Sequence, residues 1–364
     1  MKRILLITPY TPDNQGVGVS PTSQLLKELV KTCIIDLVYF RYDSELPYNP
    51  VSENIHIIRE EIINTNAKFF GLLRNPFTFP IFTARDNKNV KKLLKKQVES
   101  IKYDIVFFDF SQTFSYAKYI DHPKKILMAH DVIAQKYSRM KTYLRPWAVL
   151  SERKMLRYGT VVFTFSEKDC ELMKDLYGIK AKSTTFFLAP NVIKAMPEKE
   201  SDYFVFFGAW DRVENSEALS WFIDNVYDQL PRDVKFKVIG GGKMPQELKD
   251  KIDKKSNIEY LGFMDDPYDI IANAKAEIAP LHMGAGVKVK CVQALASGTP
   301  IIGTEVAFEG IGEKYRFAMF KANIADEYVK TIISFKYSIE DKKKLKEFFL
   351  KNYNDKQIVK YINN

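Results

Sequence analysis

The segment Leu281–Ser297, LHMGAGVKVKCVQALAS, carries a Gly-x-Gly pair (Gly284 and Gly286), then Lys288 and Lys290, then a run with helical spacing. An apolar stretch of strand length, ending near Pro280, precedes it. A helix that starts at such a loop offers free backbone N–H groups and the positive end of its dipole. With Gly284, Gly286, Val287, Lys288 and Lys290, that end suits a diphosphate. The same residues also read as a surface loop with solvated lysines. A second glycine-bearing loop, Thr8–Pro21 (TPYTPDNQGVGVSP), joins an apolar run to a helical one. Gly16 and Gly18 let backbone approach a ligand there, although an ordinary connection reads as well. A dinucleotide fingerprint would need a third glycine near position 21, which is Pro21, so NAD and FAD are disfavoured.

Other chemistries find less support. The four histidines (His56, His122, His130 and His282) show no clustered spacing, and Cys33, Cys170 and Cys291 form no Cys-x-x-Cys pair. Neither a zinc site nor a disulfide framework is expected, which fits a reducing cytoplasm. Many acids are present, and no pair stands out as two facing carboxylates.

These residues must be held by something, and the chain has ample material. It has 364 residues, 46% of them hydrophobic and 13% aromatic, which excludes a disordered chain and suits two domains. Continuous apolar runs at Arg3–Thr8, Ile34–Phe40, Ile105–Asp109, Ile126–Ala129 and Thr160–Phe165 have the look of parallel strands buried on both faces. Helical stretches such as Ser20–Lys31 and Lys88–Lys102 alternate with them. Around Leu188–Asn191 and KAMPEKESD the sequence reads as a polar linker. The alternation then restarts at Tyr203–Phe207, a helix near Ser216–Asn225, Lys235–Ile239, Ile258–Leu261, Ala276–Ala279 and Thr299–Ile302. The tail, Ile339–Asn364, reads as two helices without a strand.

Net charge is +10, and residues 1–190 hold 29 basic and 19 acidic side chains against 26 of each in the remainder. The whole excess lies in the first half, which suggests an anionic partner there. Within it, KFFGLLRNPFTFPIF (Lys68–Phe82) and the basic helix Lys88–Lys102 could rest on an anionic bilayer; an ordinary surface helix is the plainer reading of the second. No RNA- or DNA-binding motif accompanies the charge, so nucleic acid is not expected. The opening MKRILLITPYTP breaks its apolar run at Thr8-Pro9, too early for a signal peptide, and no window has the length of a membrane span. A cytoplasmic chain is expected, soluble or peripheral at the inner face of the membrane.

Several segments together resemble glycosyltransferase family 4. The likeness rests on Gly284-Ala285-Gly286-Val287-Lys288-Val289-Lys290, on Ala294-Leu295-Ala296, on Ser297-Gly298-Thr299-Pro300-Ile301-Ile302-Gly303-Thr304 and on Phe308-Glu309-Gly310-Ile311. Phe206-Phe207-Gly208, Val238-Ile239-Gly240-Gly241-Gly242 and Tyr260-Leu261-Gly262 agree in order, as does the Pro190-Asn191 junction. The resemblance implies an α/β chain of the GT-B fold, with two Rossmann-like doubly wound parallel-sheet domains facing a cleft. Residues 1–190 would bind the acceptor and 191–347 the donor, with a helix near 348–364 packing back on the first.

It also implies a retaining, metal-independent glycosyltransferase that takes a nucleotide sugar, UDP-sugar favoured, and no cofactor. The acceptor would be a lipid-linked or other saccharide in surface-polysaccharide synthesis. His130, in Ala129-His130-Asp131 at a strand end, would orient the sugar. Gly284, Gly286 and Lys288 would hold the diphosphate, with Lys290, Arg212 and Glu309 nearby. The family's Glu-x7-Glu pair is replaced: the second position is Gln293 and the first Ala285. Gln293 can still bond a ribose hydroxyl but carries no charge. Gly208 is followed by Ala209-Trp210-Asp211-Arg212, with Asn215 in the last place of a Gly-x6-Asn pattern. The alternatives are a catalytically silent GT-B subunit that binds membrane or partner, a GT-B epimerase, or a phosphorylase.

Overall fold

The computed structural model describes residues 1–12, 21–63, 71–140 and 142–364. These separate into two compact units: residues up to Phe187 together with Lys356–Asn364, and Leu188–Asp355.

The first unit is a seven-stranded sheet in the order β3-β2-β1-β4-β5-β6-β7. Its strands are β1 (Lys2–Thr8), β2 (Cys33–Tyr42), β3 (Ile55–Ile63), β4 (Ile105–Asp109), β5 (Lys125–Ala129), β6 (Val161–Thr164) and β7 (Lys182–Ser183). Every pairing is parallel. Side chains alternate along a strand, so Leu5 and Ile7 of β1 enter one core while Ile4 and Leu6 enter the other. Burial on both faces is why these runs are continuously apolar. Charge intrudes all the same. Asp36, inside β2 and fully buried, is met by Arg3 at 2.9 Å and by the Tyr103 hydroxyl at 2.6 Å.

The second unit is a six-stranded parallel sheet in the order β10-β9-β8-β11-β12-β13. It comprises β8 (Tyr203–Phe207), β9 (Lys235–Ile239), β10 (Ile258–Gly262), β11 (Glu277–Ala279), β12 (Ile301–Gly303) and β13 (Met319–Lys321). Phe204 and Phe206 of β8 share a core with Phe222 and Phe236, and the Phe206 and Phe222 ring centroids lie 4.9 Å apart, near edge-to-face. Both sheets are Rossmann-like.

The sequence did not announce β3, β7 or β13. All three are edge strands, and β3 (IHIIREEII) carries Arg59, Glu60 and Glu61 in its middle, so its apolar run is broken. The segment read as a polar linker contains a one-turn helix, Pro190–Lys194, with proline in its first position. The tail forms two helices, Ile339–Asn352 and Gln357–Asn363. The last sends Ile358 and Ile362 into the first unit's core beside Leu25 and Leu26, and Lys356 donates to the Phe186 carbonyl at 2.6 Å.

The helix Ile339–Asn352 is pinned by two buried lysines. Lys342 donates to the carbonyls of Ala272, in the last turn of the helix Tyr268–Asn273, and Ala274, just past its end. Lys346 donates to Ile193 at 2.7 Å and also to Ala195 and Ala296, where two more helices end. Cations there meet the negative ends of three helix dipoles. Desolvation nevertheless lowers Lys342 to about 7 and Lys346 to about 8. The unfolded chain therefore binds more protons than the folded one above those values, and stability should rise with pH from about 7 toward the ordinary lysine value of 10.5. Lys342→Met should flatten that slope in urea unfolding followed across the range; an unchanged slope would contradict the assignment.

Candidate functional site

In the first unit β1 ends at Thr8, β4 at Asp109 and β5 at Ala129, with His130 next in the chain. Parallel pairing brings these ends to one edge, where α/β sheets carry their sites. Asp109, 1% exposed, accepts from His130 Nε2 at 2.7 Å on one oxygen. Its other oxygen accepts from the hydroxyls of Thr22 at 2.7 Å and Thr8 at 3.2 Å. The bond from His130 places a proton on Nε2 and fixes the ring.

The imidazole also stacks on Phe110, with centroids 3.4 Å apart and planes 16° apart, and meets Phe165 edge-on at 4.8 Å. Phe110 has φ 58° and ψ 150°, and it is the only non-glycine residue with positive φ among the described residues. Such a conformation costs on the order of 1–3 kcal/mol and persists only where its surroundings impose it. Beside this group lies a small cavity of about 10 Å³, lined in part by Thr22, Asp109, His130 and Phe165, the room of about one water.

In the second unit the loop after β11 runs through Gly284, at φ 102°, and Gly286, at φ 68°. Both angles suit glycine alone. Lys288 occupies the N-cap of the helix Val289–Ala296. Its ammonium donates to the Gly286 carbonyl at 2.7 Å and lies 3.5 Å from the Glu309 carboxylate. A methyl group at Gly284 would meet Lys288 Cε at 3.5 Å and Glu214 Cγ at 3.7 Å, so Glu214 flanks the same spot. Lys290 donates to Asn215 Oδ1 at 3.1 Å, and Asn215 in turn donates to the Ala209 carbonyl at 3.0 Å. The result is a glycine-lined turn at a helix N-terminus with two lysines held in place by an acid and an amide. An anion is the ligand such a place can take.

The predicted residues therefore divide. Gly284, Gly286, Val287, Lys288 and Glu309 come together. Lys290 is turned to Asn215. Gln293 lies on the same helix, 5% exposed. Arg212 is exposed at the N-cap of the helix Val213–Asn225. His130 belongs to the first unit. Gly16 and Gly18 lie outside the described residues.

Sequence reasoning missed Asp109, although an acid closing an apolar strand was a usable signal. It also missed Glu277 in β11, whose carboxylate is fully buried with neither oxygen hydrogen-bonded among the described residues. Burial raises it to about 7, against the pull of the Lys290 charge.

Residues 201–335 match the family model of glycosyl transferases group 1. The solved structure of S. aureus TarM in complex with fondaparinux, alpha-GlcNAc-glycerol and UDP superposes with a TM-score of 0.69 at 11% identity, covering 100% of this chain and 99% of that one. Sucrose-phosphate synthase of Thermosynechococcus elongatus gives 0.68 at 13% identity, covering 97% and 95%. The fold is GT-B, and the likeness to glycosyl transferases group 1 lies in residues 201–335. A curated relative, an uncharacterized 44.6 kDa protein in the cps region of Klebsiella pneumoniae, is 23% identical to this GT-B chain over 321 residues, 80% of this chain and 81% of the relative.

The pair Gly208–Asn215 gives a direct test of how the Lys290 support is packed. A methyl group added at Gly208 would lie 2.9 Å from the Asn215 amide and displace the residue that holds Lys290. Gly208→Ala should cost about 1–3 kcal/mol in chemical denaturation, and combining it with Asn215→Ala should recover part of that loss.

Proposed function

We propose that this chain is a retaining glycosyltransferase of family 4 type that moves a sugar from a nucleotide diphosphate, UDP favoured, to a saccharide or lipid-linked acceptor. The observation that carries the reading is the Gly284–Gly286 turn with Lys288 at the helix N-terminus, inside the span matched by the group 1 model. Transfer leaves a nucleoside diphosphate, whose growing charge must be met. The Lys288 ammonium, the first amides of the helix Val289–Ala296 and the helix dipole supply that charge from the protein's own groups, so the proposed reaction is metal-independent. Glu309, as partner of Lys288, keeps the ammonium at the turn before the donor arrives. Gln293 offers an uncharged amide to a ribose hydroxyl, and Arg212 an exposed cation for the phosphates.

In the other unit His130 is assigned to the sugar. Its ring is oriented by Asp109, and its other nitrogen, Nδ1, is the one that can meet a hydroxyl or a developing positive centre. The cps-region relative supports surface-polysaccharide synthesis as the setting. The uncharged Gln293 favours one rival reading, a GT-B subunit without turnover, which any sugar transfer by the purified chain would reject.

Two substitutions separate the roles. Lys288→Ala should weaken UDP binding by about 10- to 100-fold in calorimetry, the worth of a charge-assisted contact. His130→Ala should leave UDP affinity within about twofold and lower kcat by at least about 100-fold. Wild-type UDP affinity in Lys288→Ala would remove the diphosphate assignment.

A further inference from the structure

Two turns of the first unit hold aromatic rings almost wholly in solvent. Phe77 is 91% exposed and Tyr143 90% exposed. Neither is on a loose segment. The Thr78 amide donates to the Asn75 carbonyl at 3.0 Å, closing a turn that has Pro76 and Phe77 at its tip. The Arg145 amide donates to the Thr142 carbonyl at 3.3 Å, closing a second turn with Tyr143 and Leu144 at its tip. The two are tied together: Trp147, in the first turn of the helix Arg145–Leu156, donates its indole N–H to the Phe77 carbonyl at 3.1 Å. Two residues on, the Phe79 amide donates to Ser151 Oγ at 2.9 Å, so the chain runs along that helix. Both rings are thus carried on backbone fixed to a single element.

The surroundings extend the pattern. Leu150, in the same helix, is 63% exposed, and Leu73 is 59% exposed. The outward positions near Leu150 include Lys154 and Arg157, both exposed, and Arg145 is exposed at the helix start. In residues 71–85 and 133–158 the sole acid is Glu152, which is fully buried, its two oxygens accepting the Ile133 and Ala134 amides at 3.0 Å. These two segments therefore offer apolar tips among cations and no exposed carboxylate of their own.

We propose that this face docks on an anionic bilayer, with Phe77 and Tyr143 inserted at the headgroup level and Arg145, Lys154 and Arg157 on the lipid phosphates. Exposed aromatics on rigid tips gain by burial at the membrane interface and lose little freedom on binding. Juxtaposed cations gain from the negative surface potential. Charge complementarity selects the bilayer over another copy of the chain, because two such cationic faces repel. The site takes up Phe77 from the Lys68–Phe82 segment that sequence had offered to a bilayer, adds the Tyr143 turn, and leaves out the Lys88–Lys102 helix; it does not depend on sugar transfer.

The test is vesicle flotation of the full chain without donor, on phosphatidylcholine alone and on phosphatidylcholine with phosphatidylglycerol. The expected result is binding to the anionic vesicles, weakened by high salt. Phe77→Ser with Tyr143→Ser should reduce partitioning by about tenfold or more, with the melting temperature unchanged. Lys154→Glu with Arg157→Glu should do the same at low salt. No binding by the wild type, or binding that both double variants retain, would overturn the proposal.

Discussion

Every strand pairing in both sheets is parallel, so all strands of a unit release their carboxyl ends along one edge. Residues far apart in sequence meet there by construction. Thr8 and Asp109 are hydrogen-bonded because β1 and β4 are neighbours and end together, and His130 joins them because β5 is the next strand. In the other unit the same rule places the Gly284 turn after β11 beside Thr304, just past β12, whose hydroxyl donates to the Leu281 carbonyl and sets where the turn begins. Without parallel order, neither the Asp109–His130 pair nor the glycine turn would have its supports.

Buried charge shows how closely these supports are matched. Asp36 and Asp109 are each met by several donors, and Lys342 and Lys346 by carbonyls at helix ends. Each arrangement offsets a desolvation penalty that would otherwise be several kcal/mol. Glu277 breaks the pattern. Its carboxylate has no such partner among the described residues, and it lies under the helix that begins at Lys288, with the Lys290 charge acting on it. The unmatched group thus sits within residues 201–335, close to the turn proposed for the diphosphate.

The central strands were readable from sequence because burial on both faces leaves continuous apolar runs. The edge strand β3 was not, since Arg59, Glu60 and Glu61 interrupt its apolar pattern. Glycine spacing revealed the turn at Gly284–Gly286, because positive φ leaves a compositional mark. His130 was legible as a lone histidine at a strand end, while its dependence on Asp109 was not. That partner lies 21 residues away, and only sheet order brings the two together. Strain at Phe110 left no trace in sequence, since a phenylalanine after an apolar strand reads as more core. Phe77 lay in the aromatic Lys68–Phe82 segment that composition had already marked, whereas the exposed ring at Tyr143 was hidden, because in composition an aromatic at a turn tip is indistinguishable from one in a core.

The return of residues 356–364 to the first unit makes the second unit an insertion within it. A ribosome would therefore complete Leu188–Asp355 first. The sheet begun by Lys2–Thr8 would wait, with the face later covered by Ile358 and Ile362 open, until the last helix emerged. The domain begun first is finished last, so a chain stopped short of residue 356 carries a whole second unit and an uncovered first one.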